Sequence, residues 1–318
     1  MGKLRVVFLT IALAVAPSMA QATYPERPIR FIVPFPPGGS TDVIARTLKP
    51  KLEAALGQPV IIENKPGAGG MTGVDAIAKS PADGYTIGMA AVGIFAINPH
   101  LQQMPFDPLK DLAPITRLAE SPFILVAAPN LGASSLRDVI ERAKGASLSI
   151  GHGGNGTAMQ LTAEMFNSMA GVQTTLVPYR GTAPVVTDVM GGHLMLGIVD
   201  PPPSLAALRG GQIKGIAVSS AQRFHLLPDV PTFEEQGLIG FRATGWFGIV
   251  APSGCSVEIV NKLNAAFVGA LRDQEVISHV RATGMEPTPM AVSEFADYIL
   301  AESRKWEEII ARAGQKRN

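Results

Sequence analysis

The chain has 318 residues, with 27 Lys+Arg against 26 Asp+Glu, 47% hydrophobic residues, 6% aromatics and a single cysteine. Near-neutral charge and few aromatics exclude attachment to nucleic acid by bulk electrostatics or base stacking, and the apolar fraction excludes disorder. Cys255 alone allows no internal disulfide and no cysteine-rich metal cluster, and at about 100–200 residues per domain the length suggests two domains.

The N-terminus reads as a secretion signal. Lys3 and Arg5 precede a short apolar run over 6–16, Pro17 breaks it, and Ala20-Gln21-Ala22 places small residues before a cleavage site after Ala22. That run is shorter than the ~20 residues a membrane-spanning helix needs.

From there one unit repeats: a short apolar strand, a glycine-rich or polar turn, then a helix with apolar residues three or four apart. Strands are predicted over 30–35, 59–63 and 85–92. The helix after the first carries Ile44, Leu48 and Leu52 and stops at Gly57; the next follows Pro66-Gly67-Ala68-Gly69-Gly70 and runs through Val74 and Ile77. A second series has strands over 123–127, 147–150, 174–179, 194–199 and 213–218. Its helices run through Leu136 and Val139, through Leu161 and Met165, and over 182–190. A late strand over 246–251 is followed by two helices. The last of these bears Phe295, Ile299, Trp306 and Ile310 on one stripe, with Gly314 as its stop.

Alternating strands and crossover helices predict an α/β fold of two lobes with mostly parallel sheets flanked by helices and a cleft between the lobes. After a signal segment over 1–22, the first lobe takes 23–123 together with 249–318 and the second takes 124–248. The chain is expected to cross between them near 120–125 and 246–251, through strands rather than a flexible linker.

In such folds ligands bind beyond the carboxyl ends of the strands, and the unusual glycines fall there. Gly38-Gly39-Ser40-Thr41-Asp42 and Gly153-Gly154-Asn155-Gly156-Thr157 each open a helix. Unpaired N–H groups and the helix dipole favour an anion at such a place; the same runs also read as tight strand-to-helix turns. Phe35 and Pro37 lead into the first run, and Val92-Gly93 and Arg180-Gly181 follow other strands. Asp200 reads either as an acceptor for a ligand ammonium or hydroxyl or as a turn cap, and Arg180 either as a counter-ion or as a solvated strand end. Gly151, Gly153 and Gly156 also match the dinucleotide pattern G-x-G-x-x-G, which would make the chain a nucleotide-dependent oxidoreductase or transferase. The next strand ends at Tyr179-Arg180, without the acid such a site uses on the ribose. None of the five histidines has metal-ligand spacing, and no catalytic residue, metal or cofactor is expected.

Several stretches in chain order resemble the tripartite tricarboxylate transporter receptor family, also called Bug-type receptors. They are Tyr24-Pro25-Glu26-Arg27-Pro28-Ile29-Arg30, Val33-Pro34-Phe35-Pro36-Pro37-Gly38-Gly39-Ser40-Thr41-Asp42, Glu63-Asn64-Lys65-Pro66-Gly67-Ala68-Gly69-Gly70, Gly154-Asn155-Gly156-Thr157, Tyr179-Arg180-Gly181, Leu227-Pro228-Asp229-Val230-Pro231-Thr232 and Trp246-Phe247-Gly248-Ile249-Val250-Ala251-Pro252. The resemblance implies a periplasmic solute-binding protein of type II fold, not an enzyme, whose lobes close on a small carboxylate. Di- and tricarboxylates, acidic amino acids and aromatic acids are the implied ligands. A membrane permease of one large and one small subunit is the implied partner, and the receptor is expected to be a monomer. A receptor reporting to a signalling partner is also compatible. Loops equivalent to 37–41 and 153–157 would contact the carboxylate, Val92-Gly93 would line the cleft, and Asp200 would meet an amino group where the ligand has one. Where many relatives have His and Lys, this chain has Gln160 and Arg180, which bears on the ligand and not on the fold.

Overall fold

The computed structural model describes residues 24–312; the signal segment and Gly314 lie outside the described residues. The chain begins with β1 (Ile29–Val33), α1 (Ser40–Leu56), β2 (Val60–Asn64), α2 (Met71–Ala78) and β3 (Thr86–Ala91). A π-helical turn at Gly93–Ile97 and a short α3 (Asn98–Leu101) lead to the long β4 (Leu112–Pro122). The helix α1 forms as its spacing predicts: Ile44, Leu48, Leu52 and Leu56 make one buried stripe, and Gly57 ends it in the left-handed conformation with its N–H on Glu53 O. Each such side chain removed from water stabilises the lobe by about 1.5–3 kcal/mol.

A single residue, Phe123, separates β4 from the second sheet. There the chain runs through β5 (Ile124–Ala127), α4 (Leu136–Gly145), β6 (Ser149–His152), α5 (Ala158–Ala170), β7 (Thr175–Pro178), α6 (Thr182–Met190), β8 (Leu196–Val199), α7 (Pro201–Arg209) and β9 (Lys214–Val218). It returns through β10 (Thr244–Pro252) and finishes with α8 (Val257–Arg272), α9 (Gln274–Ala282), β11 (Glu286–Pro287) and α10 (Val292–Arg312). The sheet orders are β11-β4-β10-β3-β1-β2 and β7-β6-β8-β5-β9.

Three expectations need correction. The sheets are mixed rather than mostly parallel: β10 runs antiparallel to both β3 and β4, and β5 runs antiparallel to β8 and β9. The reason is connectivity. Crossover helices make neighbouring strands parallel, whereas β4, β5 and β10 carry the chain between sheets and have no crossover helix to reverse it. The sequence reading missed β4 because Pro114, Arg117 and Glu120 interrupt its apolar pattern, yet its backbone pairs with β10 along the whole strand. Three helices, not two, follow β10, and α8 and α10 pack onto the first sheet. The stripe of Phe295, Ile299, Trp306 and Ile310 on α10 is buried as predicted.

The two crossings are tied together by one buried side chain. Ser219 accepts the Phe123 N–H at its Oγ (2.8 Å) and donates that hydroxyl to Ala243 O (2.5 Å). Its own N–H reaches Phe123 O (2.9 Å), and its carbonyl takes the Ala243 N–H (3.0 Å). Among the described residues no helix is long and apolar enough to cross a membrane.

Candidate ligand cleft between the lobes

A cleft lies between the sheets, concave and open to solvent on one side. Three helices begin on it. Gly39, Ser40 and Thr41 bring the start of α1 from the first lobe; Thr157, Ala158 and Met159 bring α5 and Gly181, Thr182 and Ala183 bring α6 from the second. The first backbone N–H groups of a helix have no intrahelical partner, and each start carries about half a positive charge. The remaining wall is mostly apolar, with Phe35, Pro36, Pro37, Val92, Phe123 and Phe247. Arg180 and Asp200 are the ionisable residues lining it; Arg180 is exposed, Asp200 almost wholly buried.

The first loop is braced from behind. Asp42, on the first turn of α1, accepts the Gly38 N–H (2.9 Å), Arg46 Nε (2.8 Å) and Asn64 Nδ2 (3.1 Å), while that same Asn64 amide also donates to Phe35 O. Burial opposes the charge, but the hydrogen bonds from Arg46, Gly38 and Asn64 hold the carboxyl below its usual range. The second loop is braced by its own side chains: Thr157 Oγ1 donates to Gly154 O (2.7 Å) and accepts the Gln160 N–H (3.4 Å), and Gln160 Oε1 takes the Gly156 N–H (2.7 Å). Beneath it, His152 is buried with Nδ1 3.0 Å from Gly154 O, and burial lowers its pKa against the opposing pull of that backbone contact.

Of the residues singled out from the sequence, Phe35, Pro37, Gly39, Ser40, Thr41, Val92, Gly93, Gly153, Thr157, Arg180, Gly181 and Asp200 meet at this cleft. Gly38, Gly154, Asn155 and Gly156 do not line it. The N–H groups of Gly38, Gly154 and Gly156 point at Asp42, His152 and Gln160, and Asn155 is exposed. Three glycines let the lobes touch, and a Cβ on one of them, Gly93, would run into Gly156 O. A Cβ on Gly69 would run into Asn155 O, and one on Gly156, at φ +73°, would run into the Asn98 side chain, whose Nδ2 donates to Gly156 O at 3.2 Å.

The sequence reading missed Thr182 and Ala183, although Gly181-Thr182 repeats the glycine-then-hydroxyl pattern of Gly39-Ser40 and Gly156-Thr157. Trp246 belongs to both the core and the site. It is fully buried, its indole Nε1 donating to Glu302 (3.0 Å), yet it also forms part of the cleft wall. One further bond spans the cleft: Ser40 Oγ donates to Asp200 Oδ2 in a very short contact. Asp200 Oδ1 is buried without a partner. Burial pushes this carboxyl above its usual range, against the opposing pull of the Ser40 and Thr182 hydroxyls.

Two lobes, a strand-built crossing and opposed helix starts on one cleft define the periplasmic-binding-protein fold. The model of the tripartite tricarboxylate transporter family receptor matches residues 44–315. The chain is 36% identical over 318 residues to Protein BugT of Bordetella pertussis, covering 98% of this chain and 96% of that one. Among solved structures it is similar to Rpa4515 of R. palustris with adipate, at 33% identity and TM-score 0.89, with 93% of this chain and 100% of that one covered. It is also similar to MatC from Rhodopseudomonas palustris with bound malate, at 30% identity and TM-score 0.84, covering 90% and 100%. The chain therefore belongs to the tripartite tricarboxylate transporter receptor family: it is a solute-binding receptor of Bug type, not an enzyme.

Proposed function

We propose that this receptor works in the periplasm, where it captures a small dicarboxylate by closing its lobes and hands it to the membrane permease of a tripartite tricarboxylate transporter. What supports the ligand class is the convergence of the α1, α5 and α6 starts on a cleft where, among the described residues, Arg180 at an exposed position is the one lining cation. Backbone amides grip the carboxylate, each charge-assisted hydrogen bond contributing about 1.5–3 kcal/mol. The apolar wall accommodates a carbon chain, in keeping with the adipate and malate held by two relatives. Among the described residues, 24–123 with 249–312 move as one body and 124–248 as the other, with Ser219 at the pivot. The N–H groups of Ser40, Thr41, Ala158, Met159, Thr182 and Ala183 are the donors, and Arg180 meets a second carboxylate at the mouth.

A thermal-shift screen of C4 to C6 dicarboxylates, citrate, acidic amino acids and aromatic acids tests this. A binding dicarboxylate at a hundredfold excess over its Kd stabilises the folded state by about 2.7 kcal/mol. A screen in which no dicarboxylate raises the melting temperature overturns the ligand class.

A further inference from the structure

Asp200 is anomalous in a cleft built for anions. Its side chain stands opposite the start of α1, one oxygen on Ser40 and the other, Oδ1, buried with no partner. Among the described residues no ion pair reaches it. From α1 it meets Ser40, while Asp42 is turned away onto Gly38, Arg46 and Asn64. The turn into α6 presents Thr182 and, at the exposed edge, Arg180; from α7, Ser204 Oγ donates to the Asp200 main-chain oxygen at 2.7 Å. The β3 and β10 sides offer Val92, Gly245, Trp246 and Phe247, without charge. Behind α7, Gly284 packs on Pro201, and nearby Arg281 is engaged by Glu286. An ionised Asp200 would therefore face an incoming carboxylate with no buried cation beside it, only hydroxyls, helix starts and the exposed Arg180 to offset the repulsion.

We propose that Asp200 meets the ligand as a carboxylic acid, so that closure takes up one proton from solvent with each dicarboxylate bound. The O–H then donates to a ligand carboxylate oxygen, turning a like-charge clash into a short charge-assisted hydrogen bond. With the lobes apart, Asp200 would face water and ionise as an ordinary carboxyl does. Burial on closure favours the neutral acid, which is the direction in which its surroundings push it. The alternative, an ionised Asp200 paired with a ligand ammonium, makes the opposite prediction about pH. This inference rests on the dicarboxylate reading above and adds the proton.

Calorimetric titration with adipate, glutarate and glutamate, in pairs of buffers with different ionisation enthalpies, separates these outcomes. Between about pH 6.5 and 8.5 the ligand carboxylates stay ionised. The expected result is uptake of about one proton per adipate or glutarate, with affinity falling up to tenfold per pH unit. Asp200→Asn is expected to bind adipate with no proton uptake and no pH dependence. Wild-type binding without proton uptake, or unchanged uptake in Asp200→Asn, overturns the proposal while leaving the carboxylate reading intact. Tighter binding of glutamate than of glutarate without uptake also overturns it, in favour of an ammonium ligand. If neither adipate nor glutarate binds, the dicarboxylate reading fails and the proton coupling falls with it.

Discussion

Asp42 and Asp200 are both buried aspartates at helix starts, on opposite sides of one cleft, and their surroundings treat them in opposite ways. Asp42 has a donor for each oxygen, including a guanidinium, and its carboxyl is held down. Asp200 has hydroxyl support on one oxygen, none on the other, and its carboxyl is pushed up. The first is a brace, satisfied by its own chain. The second is left incomplete where a ligand would arrive. Burial alone does not distinguish them; the count and charge of donors does.

The largest expected effect comes from removing the brace. Asp42→Ala leaves the Gly38 N–H and the Asn64 amide without an acceptor and should destabilise the protein by about 2–4 kcal/mol, read by urea unfolding. Acid has the same direction: with a lowered folded pKa, the stability Asp42 supplies is present above the ordinary carboxylate range and lost as pH falls through the lowered value. Ser219 belongs with Asp42, since its hydroxyl is used on both sides. Ser219→Ala should cost about 1–3 kcal/mol by leaving the Phe123 N–H and Ala243 O short of a partner, and a variant as stable as wild type would remove it as the pivot.

For Asp200 the sign reverses. A raised pKa in the closed form means that closure is favoured below the ordinary carboxylate range and loses that support as pH rises through the raised value. Small-angle scattering of the unliganded receptor should therefore record a larger radius of gyration at pH about 8 than at pH about 5, with Asp200→Asn removing the difference. A radius independent of pH in the wild type would count against an uncompensated Asp200. The smallest effect is expected from the exposed half of the brace: Arg46→Met should cost about 0.5–1 kcal/mol and less at high salt, because Arg46 is more than half exposed.

Local pattern was enough for the elements that build both lobes. Apolar strands ending in glycine and hydroxyl residues, and stripes such as Ile44, Leu48, Leu52 and Leu56, announce a strand, a turn and a helix within about twenty neighbouring residues, because backbone geometry and one-sided burial act at short range. The loops at 38–41 and 153–157 were visible for the same reason. Tertiary contact alone decided what those loops do. Whether the amide of Gly38 or of Thr41 is available depends on where Asp42 points, and Gly156 is a lobe contact only because Asn98 comes to it from the other lobe. The strand β4 shows the same division, since its polar and proline positions become strand only through pairing with β10, more than a hundred residues later. Asp200 meets Ser40 across 160 residues of chain. Hydrogen bonds and charges act over a few ångströms of space, and folding, not adjacency, sets those distances.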